Sequence, residues 1–117
     1  MWSSSKSRVI STICLICLTL TLQPGHVLRV IDGDTFILYH VGVASEERVR
    51  VLGVDTPEMN QVNGPEAKAF TEAWLAKGPF RFMACKRDSF GRYLGNVMRD
   101  GDGLAEALIA TGLGVKR

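Results

Sequence analysis

Short apolar runs rich in β-branched and aromatic residues alternate with polar turns along most of the chain after residue 26. Runs of this length, bounded by glycine, proline, aspartate or asparagine, are typical of β-strands. The pattern therefore predicts five strands, at residues 27–31, 36–43, 49–54, 80–86 and 93–99.

The segment between the third and fourth runs has helical spacing instead. Pro65 suits the first turn of a helix, Phe70 and Trp74 lie four residues apart, and Gly78 followed by proline ends the pattern. A second, shorter helix is predicted at 104–111, with a glycine after it as a cap. These elements alone indicate a small α+β domain that is mainly β, with Phe70 and Trp74 in its core.

An uncharged apolar segment precedes the predicted domain. Residues 9–22, fourteen in all, carry no charge and follow Lys6 and Arg8. Such a segment is typical of a secretion signal and is shorter than the ~20 residues that span a bilayer. We therefore expect residues 1–25 to be a signal peptide, or an uncleaved N-terminal anchor because no Ala-x-Ala cleavage motif is present. Residues 26–117 would form one domain, secreted or periplasmic in the first case and membrane-anchored outside the cytoplasm in the second.

The charge balance gives little net attraction for an anionic partner. The chain has 14 Lys and Arg against 12 Asp and Glu, but two of the cations lie in the leader, which leaves 12 against 12 for the domain. Binding to nucleic acid would therefore depend on where individual Arg and Lys side chains lie. Cys85 is the single cysteine of the domain, which excludes an internal disulfide, and no cluster of Cys and His supports zinc.

Carboxylates gather where two of the predicted strands end. Asp32 and Asp34 follow the first run, and Asp55 and Glu58 follow the third. Each motif alone is more often a turn or a strand exit than a binding site. Together they supply the hard oxygen ligands that a cation of the size of Ca²⁺ prefers.

Arg50 lies five residues before Asp55 on the third run. Odd spacing on a strand places the two side chains on opposite faces, so they can share a site only if the chain bends or bulges at Gly53. A later turn at residues 88–92 can supply a second guanidinium, that of Arg92. The sequence thus offers two arginines beside the carboxylates if the fold brings these segments together.

These motifs resemble those of the thermonuclease family, also called staphylococcal-nuclease-like. Residues 31–35 read Ile-Asp-Gly-Asp-Thr, and residues 50–58 match the family's Arg-x-x-x-Val-Asp-Thr-Pro-Glu. Residues 88–92 match its Asp-x-x-Gly-Arg turn, and residues 64–71 and 105–113 are similar to its first two helices. The motifs follow the family's order, so the resemblance extends from the first predicted strand to the second predicted helix.

The resemblance implies a five-stranded OB-fold barrel with one inserted helix and a short C-terminal helix. It also implies a Ca²⁺-dependent endonuclease that hydrolyses DNA and RNA with little sequence specificity, because phosphate contacts carry no sequence information. By position, it assigns calcium binding to Asp34, Asp55 and the Thr56 main-chain carbonyl. It assigns the general base to Glu58, and the contacts to phosphate and transition state to Arg50 and Arg92.

A non-catalytic OB-fold module that binds nucleic acid is the alternative interpretation. Such a module would need exposed aromatic side chains on which bases can stack, and Tyr39, Phe90 and Tyr93 are the candidates. It could also lose any one of the residues that hydrolysis needs. All of them are present, which favours the enzyme.

The sequence also departs from the family pattern. Ser89 and Phe90 stand where the family often has Lys-Tyr, and the sequence ends at Arg117, before the family's substrate-stacking tyrosines and final helix. We therefore expect weaker substrate binding, with the catalytic step less affected. We also expect a monomer without a stable protein partner, in contact with a membrane only through residues 9–22 if the leader is uncleaved.

Overall fold

The computed structural model describes residues 18–40 and 45–117. Within them lie nine β-strands and two α-helices. The strands are β1 (Leu18–Leu22), β2 (Val27–Asp32), β3 (Thr35–His40), β4 (Ser45–Val51), β5 (Val54–Asp55), β6 (Phe80–Arg87), β7 (Tyr93–Arg99), β8 (Asp102–Gly103) and β9 (Val115–Lys116). The helices are α1 (Gly64–Ala76) and α2 (Leu104–Ala110).

Seven of the strands form one sheet in the order β1-β6-β7-β4-β3-β2, with β8 paired to β7. Neighbouring strands are antiparallel except β4 and β7, which run parallel. The two-residue strands β5 and β9 pair with each other beside this sheet. The curled sheet with two helices confirms the predicted α+β class and agrees with an OB-type barrel.

The core lies between the sheet and α1. Phe36 of β3 and Phe80 of β6 pack edge to face with ring centroids 6.5 Å apart, and Trp74 of α1 packs on Phe80 at 6.3 Å. Trp74 is buried as predicted, and Phe70 is partly buried against the same cluster. Because these aromatic side chains bury the most apolar surface per residue, they fix how α1 sits on the sheet.

Most predicted elements lie within one residue of their observed bounds, and the third predicted strand is the main exception. The sequence predicted one strand over 49–54, whereas β4 ends at Val51 and β5 begins at Val54. Gly53 separates them with a φ of +89°, a backbone conformation that glycine adopts without a steric penalty. Residues 41–43 of the second predicted strand lie outside the described residues, and β3 ends at His40.

The strand β1 was not predicted, because its residues were assigned to the apolar leader. Its Leu-Thr-Leu-Thr-Leu sequence alternates with the period of two that a half-buried strand requires. It pairs with β6, opposite Phe80 to Ala84, and Leu22 is fully buried in the core. The predicted domain boundary at residue 26 therefore lies inside the observed sheet.

The targeting role of the leader remains a prediction, because residues 1–17 lie outside the described residues. In the described part of the chain, no helix has the length and apolar character needed to cross a membrane.

Leu22→Ala tests whether β1 belongs to the folded domain. Truncating a fully buried leucine removes apolar contacts and leaves a cavity, so we expect a loss of about 2–5 kcal/mol in the free energy of unfolding. Leu28→Ala is the matched control, since Leu28 is 49% exposed and should lose less than about 1 kcal/mol. Denaturant unfolding of both variants measures the difference, and equal losses would show that β1 does not pack in the core.

Candidate functional site

Arg50 is a buried arginine at the end of β4, with 6% of its surface exposed. Its Nη1 donates hydrogen bonds to the carbonyl oxygens of Val51 at 2.6 Å and Val54 at 2.9 Å. Its Nη2 donates to Asp55 Oδ1 and forms an ion pair with Asp34 Oδ2 at 3.4 Å. The turn at Gly53 thus brings Arg50 and Asp55 together, which meets the condition that the spacing of the two residues sets.

Asp34 connects the β2–β3 turn to the loop after β5. Its Oδ2 accepts a hydrogen bond from the Thr56 N–H at 3.0 Å, and its Oδ1 accepts one from the Thr35 hydroxyl at 3.0 Å. The side chain is buried, so these bonds and Arg50 compensate for the loss of water around a carboxylate. Asp34, Arg50, Asp55 and Thr56 therefore form one cluster.

The Thr56 side chain packs directly against the Asp32-Gly33-Asp34 turn. Its Oγ1 is buried and has no hydrogen-bond partner among the described residues. A Cβ at position 33 would lie 2.8 Å from this oxygen, so the close approach requires glycine. The Thr71 hydroxyl of α1 donates to the Gly33 carbonyl at 2.6 Å, which fixes the turn to the helix.

Asp32 lies on the buried side of the same turn and accepts a hydrogen bond from the Asp34 N–H at 3.2 Å. Burial, together with the neighbouring Asp34 carboxylate, raises the pKa of Asp32 to about 6. Arg50 faces the carboxylates of both Asp34 and Asp55, and Arg117 also pairs with Asp55. Two guanidinium groups thus stand beside the three carboxylates of Asp32, Asp34 and Asp55, and this excess of one negative charge favours a cation at this position.

Glu58 lies three residues beyond Asp55, in the loop that leads to α1. Its N–H donates to Gln61 Oε1 at 2.8 Å, and its carbonyl accepts the Gln61 N–H at 2.9 Å. A Cβ at Gly64 would lie only 2.0 Å from the Glu58 carbonyl oxygen, so the backbone at Glu58 can come this close only because residue 64 is glycine. The Glu58 side chain is exposed, and its carboxylate makes no hydrogen bond or ion pair with a described residue.

Arg92 lies in the turn between β6 and β7 and is held by Asp88. The Arg92 Nε donates to Asp88 Oδ2 at 2.7 Å, and the Arg92 and Phe90 N–H groups both donate to Asp88 Oδ1 at 2.9 Å. Burial alone would raise the pKa of Asp88, but these hydrogen bonds outweigh it and lower the pKa. Neither terminal nitrogen of Arg92 has an acceptor among the described residues, so both can bind an anion.

Two pockets meet at this cluster. The first, which we call the cationic pocket, has a volume of about 250 Å³, and its lining includes Arg50, Lys86, Arg92 and Arg117 together with Asp88. The second, the apolar pocket, has a volume of about 460 Å³ and lies beside Asp55 and Thr56, with walls from Pro57, Val62, Leu113 and Val115. Arg50 and Arg92 therefore line the same pocket.

Lys86 and Arg117 were not predicted as site residues. Lys86 follows a register shift in the pairing of β6 with β7, between Ala84 and Lys86, and no simple sequence signal marks such a bulge. Arg117 reaches the pocket because β9 pairs with β5, where its guanidinium forms an ion pair with Asp55 at 3.0 Å. A two-residue strand is too short for periodicity to indicate it.

The donor set at the cluster is made of oxygen atoms, which fits a hard cation such as Ca²⁺. Asp34 Oδ2 and Asp55 Oδ1 approach the same Arg50 nitrogen, so the two carboxylates lie close together. Within the described residues, no group of three or more His, Cys, Asp or Glu side chains could hold a metal ion. A cation bound here would therefore need oxygens from the Thr56 backbone, water or a ligand.

Comparison with known proteins agrees with these motifs. The family model described as staphylococcal nuclease homologue matches residues 48–117. A thermonuclease of Staphylococcus hyicus is 37% identical over 99 residues, which cover 78% of this chain and 57% of that protein. A thermonuclease of Staphylococcus intermedius is 40% identical over 79 residues, covering 61% and 46% respectively.

An endonuclease of Bacillus subtilis, YncB, is 34% identical over 94 residues, which cover 73% of this chain and 44% of that protein. The chain thus spans about half the length of the curated relatives it matches.

Arg50→Ala tests the structural role of the buried guanidinium. The substitution leaves Asp34 buried without its cationic partner, so we expect a loss of roughly 3–5 kcal/mol in the free energy of unfolding. Arg48→Ala, an exposed arginine two residues earlier on β4, should lose less than about 1 kcal/mol. Urea denaturation with chelator present compares them, and similar losses would mean that Arg50 is not needed to hold the cluster.

The raised pKa of Asp32 predicts a specific dependence of stability on pH. An aspartate in the unfolded chain has a pKa of about 3.9. Between about pH 4 and pH 6, Asp32 therefore keeps a proton in the folded chain that it has lost in the unfolded chain. The contribution of Asp32 to the free energy of unfolding therefore falls as the pH rises from about 4 to about 6. Above about pH 6 the contribution stays at this lower value.

Asp32→Asn should remove this fall and stabilise the chain at pH 7 by on the order of 1 kcal/mol, allowing for partial screening by solvent. The measurement is thermal unfolding from pH 4 to pH 7 in chelator. Asp102→Asn, at an exposed position in β8, should keep the wild-type profile. An unchanged slope in Asp32→Asn would contradict the assignment.

Proposed function

Because the chain belongs to the staphylococcal nuclease family, we propose that it is a calcium-dependent endonuclease that hydrolyses phosphodiester bonds of DNA and RNA with little sequence specificity. The observation that carries the proposal is the meeting of the Asp34, Arg50 and Asp55 cluster with a pocket that contains Arg92. Phosphodiester hydrolysis requires stabilisation of developing negative charge and a group that orients water, and this site has residues for both.

Arg92 is the better placed of the two predicted arginines to bind the phosphate directly. Asp88 holds its Nε, and both terminal nitrogens remain available for two parallel hydrogen bonds to phosphate oxygens. Arg50 already donates three hydrogen bonds to the protein, to Val51, Val54 and Asp55. Arg50 can therefore contact substrate only through its remaining N–H groups, or by giving up its hydrogen bond to Asp55 for one to a phosphate oxygen.

Asp34, Asp55 and the Thr56 main-chain carbonyl are the proposed calcium ligands. Ca²⁺ coordinates six to eight oxygens, so water and substrate would complete the shell that these three groups begin. When bound, the ion supplies positive charge that polarises a phosphate oxygen. Asp34 and Asp55 would share their oxygens between this ion and Arg50.

Glu58 is the proposed general base. Its loop is fixed by the reciprocal hydrogen bonds with Gln61, while its carboxylate is exposed and has no partner among the described residues. A carboxylate of this kind can accept a proton from water or hold that water for attack.

The apolar pocket beside Asp55 supports a nucleic-acid substrate. Its walls from Pro57, Val62 and Leu113 can accept a sugar or a base next to a phosphate in the cationic pocket. Apolar contact and phosphate binding distinguish neither the bases nor the two kinds of sugar. Both DNA and RNA are therefore proposed as substrates.

A non-catalytic binding module remains the second candidate because of Phe90. Its ring is 82% exposed, with the Arg92 guanidinium 5.3 Å from the ring centroid, which is an arrangement on which a base can stack. Tyr93 is less suited, since the Arg87 guanidinium already lies 4.0 Å from the centroid of its ring.

We also propose that the chain is exported and that it acts as a monomer. The support for export is the composition of its leader, in which Lys6 and Arg8 precede an uncharged segment. Because Leu18–Leu22 form β1, a leader removed from a folded domain of this kind would have to end before them.

Glu58→Ala should lower the rate of cleavage of single-stranded DNA and of RNA by roughly 100- to 10,000-fold, the usual contribution of a general base. Its stability should stay near that of the wild type, because the side chain is exposed and makes no hydrogen bond or ion pair with a described residue. The measurement is a digestion assay with calcium, beside circular dichroism of the same samples. Glu46→Gln, at an exposed position in β4, is the control and should cleave normally.

Two outcomes would contradict the proposal. Full activity in Glu58→Ala would remove Glu58 from the mechanism. Tight binding of single strands by a folded wild-type protein that cleaves nothing in calcium would favour the binding module.

A further inference from the structure

The turn that carries Glu58 is closed by a side chain as well as by the backbone. The Gln61 N–H donates to the Glu58 carbonyl at 2.9 Å, which closes a turn over Met59 and Asn60. In return, the Glu58 N–H donates to Gln61 Oε1 at 2.8 Å. Because a backbone N–H can bond only to the oxygen of a side-chain amide, this contact also fixes which way the Gln61 amide points. Both backbone polar groups of Glu58 are therefore bonded to one residue.

This turn is fastened to the start of α1. The Gly64 N–H donates to the Gln61 carbonyl at 3.1 Å, on the glycine whose close approach to the Glu58 carbonyl leaves no room for a Cβ. Asn63 makes the bend into the helix in the left-handed conformation, with a φ of +68°, which asparagine tolerates better than most residues. Its carbonyl accepts the Ala67 N–H at 2.9 Å. The backbone of Glu58 is thus held in a fixed position relative to the first turn of α1.

The same helix also positions Asp34, one of the proposed cation ligands. The Thr71 hydroxyl of α1 donates to the carbonyl of Gly33, the residue directly before Asp34, at 2.6 Å. Gly33 packs so closely on the helix that a Cβ there would lie 2.8 Å from the Cβ of Ala67. Ala67 and Thr71 are both fully buried. α1 is therefore the common support that fixes Asp34 and the Glu58 backbone relative to each other.

The two links to α1 differ in their exposure to solvent. The link to Asp34 is buried, whereas Gln61 is an exposed loop residue beside the apolar pocket. An exposed hydrogen bond adds little to global stability, because water replaces a lost partner. It still restricts the local backbone, since a turn without it can open while the rest of the domain stays folded. The Gln61 side chain is therefore better suited to hold Glu58 in place than to stabilise the fold.

We propose that Gln61 is a positioning residue for hydrolysis, which acts by holding Glu58 in a fixed position relative to Asp34. This inference rests on the proposed nuclease function and adds a residue to it. A general base has to lie within hydrogen-bond reach of the water it activates, and a displacement of about 1 Å can lower a rate by about 100-fold. Without the Gln61 acceptor, the Glu58 N–H bonds to water and the turn takes up other conformations. The chemical step then slows, while substrate binding is retained.

Gln61→Leu in the full chain removes the acceptor at a similar side-chain size. For single-stranded DNA in calcium, we expect kcat to fall by about 10- to 100-fold and KM to change by less than about 2-fold. Gln61→Glu keeps an oxygen acceptor and should cleave within about 3-fold of the wild type, because salt screens the added exposed charge. Asn60→Leu is the matched control, since Asn60 lies in the same turn and its side chain makes no hydrogen bond with a described residue. It should cleave at the wild-type rate.

Amide hydrogen exchange, measured by NMR without substrate, gives a second readout that does not depend on cleavage. The Glu58 N–H should exchange about 10-fold faster in Gln61→Leu than in the wild type, and at the wild-type rate in Gln61→Glu and Asn60→Leu. The Ala67 N–H, inside α1, should keep its rate in all three variants. A general structural role for Gln61 would instead accelerate exchange at both amides and lower the urea midpoint of unfolding.

The inference is overturned if Gln61→Leu keeps the wild-type kcat, if Gln61→Glu loses as much activity as Gln61→Leu, or if Asn60→Leu loses activity equally. It is also overturned if the Glu58 N–H exchanges at the same rate with and without the Gln61 acceptor. Failure of the proposed function has a different signature, because the wild-type chain would then cleave nothing in calcium while the exchange of the Glu58 N–H still responded to Gln61→Leu.

Discussion

The buried charge of Arg50 is the constraint on which the site depends. A guanidinium cannot lose its charge in a protein, so burial requires acceptors around it. The chain supplies the carbonyls of Val51 and Val54 and the carboxylates of Asp34 and Asp55. These groups come from the β2–β3 turn, the end of β4 and the short strand β5. One side chain thus holds together the three segments that carry the predicted site.

The same contacts determine what the site can do. Asp34 and Asp55 are held close to each other because both face Arg50, and Asp32 adds a third carboxyl whose pKa is already raised. Replacing Arg50 by alanine would therefore disturb the fold and the proposed cation site together. The loss of activity in that variant would not measure the contribution of Arg50 to catalysis alone. Arg92 differs, because Asp88 positions it in a surface turn without burying it.

The spacing of apolar residues along the sequence predicted those helices and strands in which buried residues recur at one regular interval. The bounds of β7 agreed with the prediction, whereas the predicted strand over 49–54 is broken at Gly53, where the chain turns. β1 was missed because an apolar Leu-Thr alternation without charges also suits a leader. Lys86 was missed because its direction depends on a bulge, and Arg117 because it depends on the long-range pairing of β9. Features set by tertiary contacts were thus the ones that local pattern could not supply.

The proposed cation site lies in the cluster around Arg50 and would be completed by substrate phosphate. Calcium titration calorimetry of the full chain, with and without an uncleaved phosphorothioate dinucleotide, tests this proposal. We expect weak calcium binding that becomes tighter with the dinucleotide and is lost in Asp34→Asn. Absence of calcium binding even with the dinucleotide, or binding of equal strength in Asp34→Asn, would contradict it.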